Sequence, residues 1–95
     1  MTEDKKFPKA PEGRQWWISL SAGPGKSYLL KVCLVHAHSR KKTLDQEVVR
    51  KVGPHLSRQE FRGHAVDAAK RVLELREWIK DSTILVTELN EEANG

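Results

Sequence analysis

Residues 57–81 read SRQEFRGHAVDAAKRVLELREWIKD, and the way this stretch repeats decides the fold. Phe61, Ala65, Ala68, Val72, Leu75 and Ile79 recur at intervals of three and four, which on a helix draws one continuous apolar stripe. Arg62, Asp67, Lys70, Arg71, Glu74 and Glu77 fall on other faces, and Asp67 and Arg71 have the spacing of an i,i+4 ion pair. Ser57 and Glu60 are placed as a capping box, in which each side chain accepts a hydrogen bond from the other residue's backbone N–H. The pattern predicts a long amphipathic helix that starts after Ser57 and ends at Asp81 and Ser82. Gly63 costs roughly 1 kcal/mol inside such a helix, which points to a close contact there.

An apolar stripe of this length needs a surface to lie on, and the preceding residues supply one. Gln15–Ala22, QWWISLSA, alternates Trp16, Ile18 and Leu20 with Trp17, Ser19 and Ser21, the two-residue period of a strand with one buried face. Gly23-Pro24-Gly25-Lys26 breaks that period with turn chemistry. Ser27–His38, SYLLKVCLVHAH, is apolar enough to be either a buried strand or a buried helix. Val32, Val35, Tyr28 and the short turn favour a β-hairpin over a β-turn-α unit.

Beyond a polar basic loop at Ser39–Lys42, Thr43 and Gln46 repeat the capping-box spacing, and Leu44, Val48 and Val52 follow at four-residue intervals. Gly53 and Pro54 then act as a stop, so a short helix is expected over residues 44–52. At the other end, Thr83–Leu89, TILVTEL, is β-branched and apolar, the composition of a final strand. Together these readings give an α+β domain over residues 14–90: an N-terminal β-hairpin, a short helix, a long amphipathic helix packed on the sheet, and a C-terminal strand. Residues 1–13, with Pro8 and Pro11, read as a flexible arm, and residues 91–95 as a flexible acidic tail.

A chain of 95 residues is the size of one domain, and 38% apolar against 32% charged residues leaves a thin core. Cys33 is the only cysteine, so no internal disulfide forms and a reducing, cytoplasmic setting is expected. The first eleven residues lack the apolar run of a signal peptide, and no stretch is apolar enough to span a bilayer. The net charge of +4 hides an internal asymmetry. Residues 26–62 hold nine basic and three acidic side chains, whereas residues 63–95 hold four and seven.

Ala22–Ser27, AGPGKS, has the ending of a phosphate-binding loop, but the first glycine of that motif would fall at Leu20. It reads better as a turn with a solvated Lys26. Cys33, His36 and His38, with His55 and His64, are zinc-binding residue types, yet on a strand Cys33 points away from both neighbouring histidines. Neither a metal nor another cofactor is expected. No nucleophile, base and oxyanion donor are placed together, so the reading is non-enzymatic.

The remaining signal is the basic middle: Lys31, Arg40, Lys41, Lys42, Arg50, Lys51, Arg58 and Arg62. Such charge binds phosphate backbones by releasing counterions, with no fixed motif, and the amino end of the long helix adds a phosphate-facing dipole. The same residues also suit a solvated polar surface. Trp17, on the face opposite Trp16, is available to stack on a base or anchor a protein, unless the N-terminal arm or the helix near Trp78 covers it.

Arg62-Gly63-His64-Ala65-Val66, with Ala69 and Glu74, resembles the approach into the second helix of Alba-type nucleic-acid-binding proteins. In that family a strand runs directly into the glycine, whereas here HLSRQEF reads as helix. The resemblance covers residues 62–74 alone and implies nucleic-acid binding. The functional expectation is therefore a small nucleic-acid-binding accessory or regulatory protein, monomeric or homodimeric, acting on DNA or RNA and not at a membrane. The alternative is a protein-interaction module, an inhibitor or adaptor, that uses exposed Trp and Arg residues as anchors.

Overall fold

The computed structural model of the chain describes residues 6–95. Three antiparallel strands, β1 (Arg14–Ala22), β2 (Tyr28–His36) and β3 (Leu44–Val52), form a sheet in the order β1-β2-β3. One helix, α1 (Arg58–Asn94), follows. No helix among the described residues is long and apolar enough to cross a membrane.

The expected hairpin is present, and Ser27–His38 resolves as strand. Trp16 pairs with Leu34, Ile18 with Val32 and Leu20 with Leu30, so the apolar alternation of β1 lies on the same face as that of β2. The turn closes through Gly23 N–H donating to Ser27 O at 3.0 Å and Ser27 Oγ donating to Pro24 O at 2.6 Å. Gly25 supplies the left-handed residue, with φ +64°.

Residues 44–52 are strand β3, not the short helix that the spacing of Leu44, Val48 and Val52 suggests. A period of two runs through the same residues and wins. Gln46, Val48, Arg50 and Val52 lie opposite Leu34, Val32, Leu30 and Tyr28, while Glu47, Val49 and Lys51 lie opposite Cys33, Lys31 and Leu29 on the other face. The backbone donors and acceptors of β2 are satisfied by this pairing, which a helix would leave open along that edge. Thr43 is no helix cap: its carbonyl accepts from His36 N–H at 2.9 Å.

The C-terminal strand is likewise absent, and Thr83–Leu89 continues α1. Asp81 and Ser82 do not interrupt it, and from Gly63 to the end of the helix the sequence has no glycine or proline to break the turns. The amino end is as expected. Ser57 Oγ accepts from Glu60 N–H at 3.1 Å, and the Glu60 carboxylate accepts from Ser57 N–H at 3.2 Å. These bonds, from the Ser57 backbone foremost, hold the Glu60 carboxyl below its ordinary range.

The first half of the helical stripe makes the core. Ala65, Ala68 and Ala69 close on Leu30, Val32 and Val52, with Val48, Leu56 and Phe61 packed around them. Each large side chain buried this way contributes roughly 1.5–3 kcal/mol before chain entropy is subtracted. α1 rests on β2 and β3 and leaves β1 uncovered. Trp16 fills that side instead. It stacks edge-to-face on Phe7, with ring centroids 5.4 Å apart, and donates from Nε1 to Pro8 O at 2.9 Å. The N-terminal arm is thus tied down at residues 7 and 8, while its first five residues lie outside the described chain. Further along β1 on the same side, Ile18 and Leu20 stay about half exposed.

A bulge between β2 and β3 makes Asp45 the extra residue of its strand. The Asp45 carboxylate is thereby aimed at the helix side, where it accepts from Arg14 Nε at 2.6 Å and Arg76 Nε at 3.0 Å. One acid ties the start of β1, the irregular edge of β3 and the point where α1 leaves the sheet. Burial opposes its ionisation, but the two guanidinium groups outweigh that and hold its carboxyl below the ordinary aspartate range. A depressed native pKa adds stability above the unfolded value that is lost as pH falls through the native one. Asp45→Asn should cost about 1–3 kcal/mol at neutral pH. The deficit should shrink as urea denaturation is repeated in acid below about pH 4, where the unfolded aspartate protonates.

Gly63 makes no close contact, since a Cβ built there meets nothing within 4 Å. Gly63→Ala should therefore raise stability by about 0.5–1 kcal/mol, read as a higher melting temperature.

Candidate nucleic-acid interface

α1 covers one face of the sheet and leaves the other open. Strand alternation and register place Gln15, Trp17, Ser19 and Ser21 of β1 on the open face, beside Leu29, Lys31, Cys33 and Val35 of β2. Leu44, Glu47, Val49 and Lys51 of β3 complete it. Trp17 is 53% exposed. The Phe7 contact belongs to Trp16.

Trp17, Cys33 and Glu47 form one row across the sheet; Ser19, Lys31 and Val49 form the next, and Ser21, Leu29 and Lys51 the one after. With strands about 4.8 Å apart, Trp17 and Lys31 are diagonal neighbours. Lys31 Nζ lies 3.9 Å from Glu47, but both side chains are well exposed and the pair is worth little.

Lys42 reaches the same side from the β2–β3 loop. Its backbone is left-handed, φ +48°, and its ammonium donates to Gln15 Oε1 at 3.2 Å and Ala37 O at 3.4 Å. Arg40 and Lys41 stand exposed at the tip of that loop. The open face and its adjoining loop thus bring together Trp17, Lys31, Lys51 and Lys42, with Arg40 and Lys41 at one end.

The other basic candidates sit elsewhere. Arg50 lies opposite Leu30 on the helix side of the sheet, and Arg58 and Arg62 lie on the first turns of α1. The phosphate site expected at the helix amino end is occupied by Glu60, whose carboxylate uses the Ser57 donor and opposes an anion.

Cys33 is buried although it lies on this face. The side chain is small, sits on the middle strand and is sheltered by its neighbours. Its thiol points at Glu47 Oε2, 3.7 Å away. Burial first, then the charge and hydrogen bond of Glu47, push the thiol's pKa up against a smaller opposing effect of Lys31. The protonated thiol is a poor nucleophile and a poor metal ligand. Among the described residues, no three His, Cys, Asp or Glu side chains gather where one metal ion could be held.

Two depressions hold residues of chemically active types. One of about 440 Å³ is lined by Gly13, Arg14, His36, His38, Ser39 and Thr43. There Ser39 Oγ and Thr43 Oγ1 bond to one another at 3.1 Å, and the histidines activate neither hydroxyl. The other, about 340 Å³, surrounds the Gly23–Ser27 turn and holds Lys26. That turn joins two antiparallel strands, so the helix amino end that gives a phosphate-binding loop its dipole is missing from it.

Trp17 and Lys31 were legible as candidates, whereas Ser19, Ser21 and Val49 carry no signal of their own and join the face through strand alternation. No family model, no curated protein and no solved structure matches the chain.

Proposed function

We propose that the open sheet face binds single-stranded nucleic acid, with Trp17 stacking on a base and Lys31, Lys51 and Lys42 following the phosphates. The observation that carries the reading is Trp17, left 53% exposed on a face that also carries Lys31 and Lys51. An aromatic on an uncovered sheet accepts any base, because every base has a π-face, and contributes about 1–3 kcal/mol per stacked base. The serines at 19 and 21 leave room beside the ring for a chain to lie across β1. Arg40 and Lys41 extend the charge past the end of the sheet. Arg50, Arg58 and Arg62 have no part in this interface, since Arg50 lies on the sheet face that α1 covers and Arg58 and Arg62 lie on α1 itself.

In this reading the protein is an accessory or regulatory factor without catalysis of its own. A single cysteine, with no internal disulfide to form, fits a reducing compartment such as the cytoplasm. A protein-interaction role has separate support in the uncovered apolar residues on the far half of α1, and the two roles use different surfaces.

Fluorescence anisotropy with labelled single-stranded DNA and RNA tests the reading. Affinity should fall linearly in log[salt], with a slope near −2 for about three phosphate contacts. Trp17→Ala should weaken binding roughly 5- to 100-fold without changing that slope. Lys31→Glu with Lys51→Glu should both weaken binding and flatten the slope, whereas Arg58→Glu should change little. Absence of binding to either polymer at low salt overturns the proposal.

A further inference from the structure

The far half of α1 outruns the body it packs on. A 37-residue helix is about 55 Å long, while nine-residue strands span about 30 Å. The molecule is accordingly elongated, 57 Å in its longest extent. The Arg76–Asp45 pair ties the helix to the sheet midway along its length. Past it, Trp78, Ile79, Leu85, Val86 and Leu89 are 43–66% exposed.

These residues continue the stripe that makes the core. Val72, Ile79 and Val86 recur every seven residues, and so do Leu75, Ser82 and Leu89. That is the seam of a helix that packs on another helix. The segment also gains from a partner, because little in its own composition holds it helical. Residues 83–87, TILVT, are β-branched at four of five positions, and a helix of about 18 residues with such composition is marginal in water.

Charge selects the partner and its direction. Residues 70–80 carry Lys70, Arg71, Arg76 and Lys80 against Glu74 and Glu77. Residues 81–94 carry Asp81, Glu88, Glu91 and Glu92 and no basic residue. Two parallel copies would set four acids against four. Two antiparallel copies set the acidic end of each helix, Glu88, Glu91 and Glu92, against the stretch of the other that holds Arg76, Glu77 and Lys80, twice over by symmetry.

We infer that the projecting half of α1 pairs antiparallel with that of a second copy, burying Leu75, Ile79, Val86 and Leu89 in a two-helix seam. The contact covers roughly 28 Å of helix, from about residue 75 to residue 93. It leaves both open sheet faces free, so it stands or falls independently of nucleic-acid binding.

Sedimentation of the full chain at about 100 μM, well above a micromolar dissociation constant, tests the pairing. The expected species has twice the 10.8 kDa mass of one chain. Val86→Glu buries a charge in the seam and should raise the dissociation constant at least ~100-fold. It should also lower helical circular dichroism while leaving the Trp16 environment of the body intact. Spin labels at Glu91→Cys, in a Cys33→Ser background, should lie more than about 20 Å apart in the antiparallel pair. A monomeric wild type, a dimer that survives Val86→Glu, or labels close together each overturn the inference. A monomer whose far helix resists proteolysis only with another protein bound overturns it as well.

Discussion

Three alanines set the architecture. Ala65, Ala68 and Ala69 put almost no bulk between α1 and the sheet, so the helix lies close on Leu30, Val32 and Val52 and fills the space over β2 and β3 alone. A single small-residue contact of this kind makes a two-layer protein with one covered face and one bare one. It also leaves β1 without a helix above it, and the chain meets that need locally by folding Phe7 and Pro8 over Trp16.

The charge distribution follows the same geometry. Acidic Asp45, partly buried, is paired with two arginines at a bulge that turns it to the helix side. The lysines of β2 and β3 point the other way, into solvent. The overall excess of positive charge is therefore sorted by the fold into an open sheet side that is basic and a helix end that is acidic.

Much of this was legible in the residues. The β1 alternation, the Gly-Pro-Gly turn and the Ser57–Glu60 box each express one local rule that the tertiary structure does not oppose. Residues 44–52 satisfied two periods at once: Val48 and Val52 are four apart, which suits a helix, and an even number apart, which suits a strand. Only the hydrogen-bonding need of β2 decides between them. Thr83–Leu89 erred the other way, since β-branched composition suggested a strand while an unbroken helix from Arg58 carried the segment along. The misread third strand also explains why the basic cluster was not resolved from sequence. Adjacent Arg50 and Lys51 would sit about 100° apart on a helix, but on β3 they take opposite faces and belong to different surfaces.

The segment TILVTEL holds a conformation that its own residues do not favour. Should α1 unwind past Ile79, it releases a seven-residue segment, four of its residues β-branched and four apolar, with the makings of a cross-β zipper. Lys80 and Asp81 before it, and Glu88 within it, are the kind of charged gatekeepers that slow such stacking. Fraying at this end would thus cost the protein solubility before it cost the body its fold.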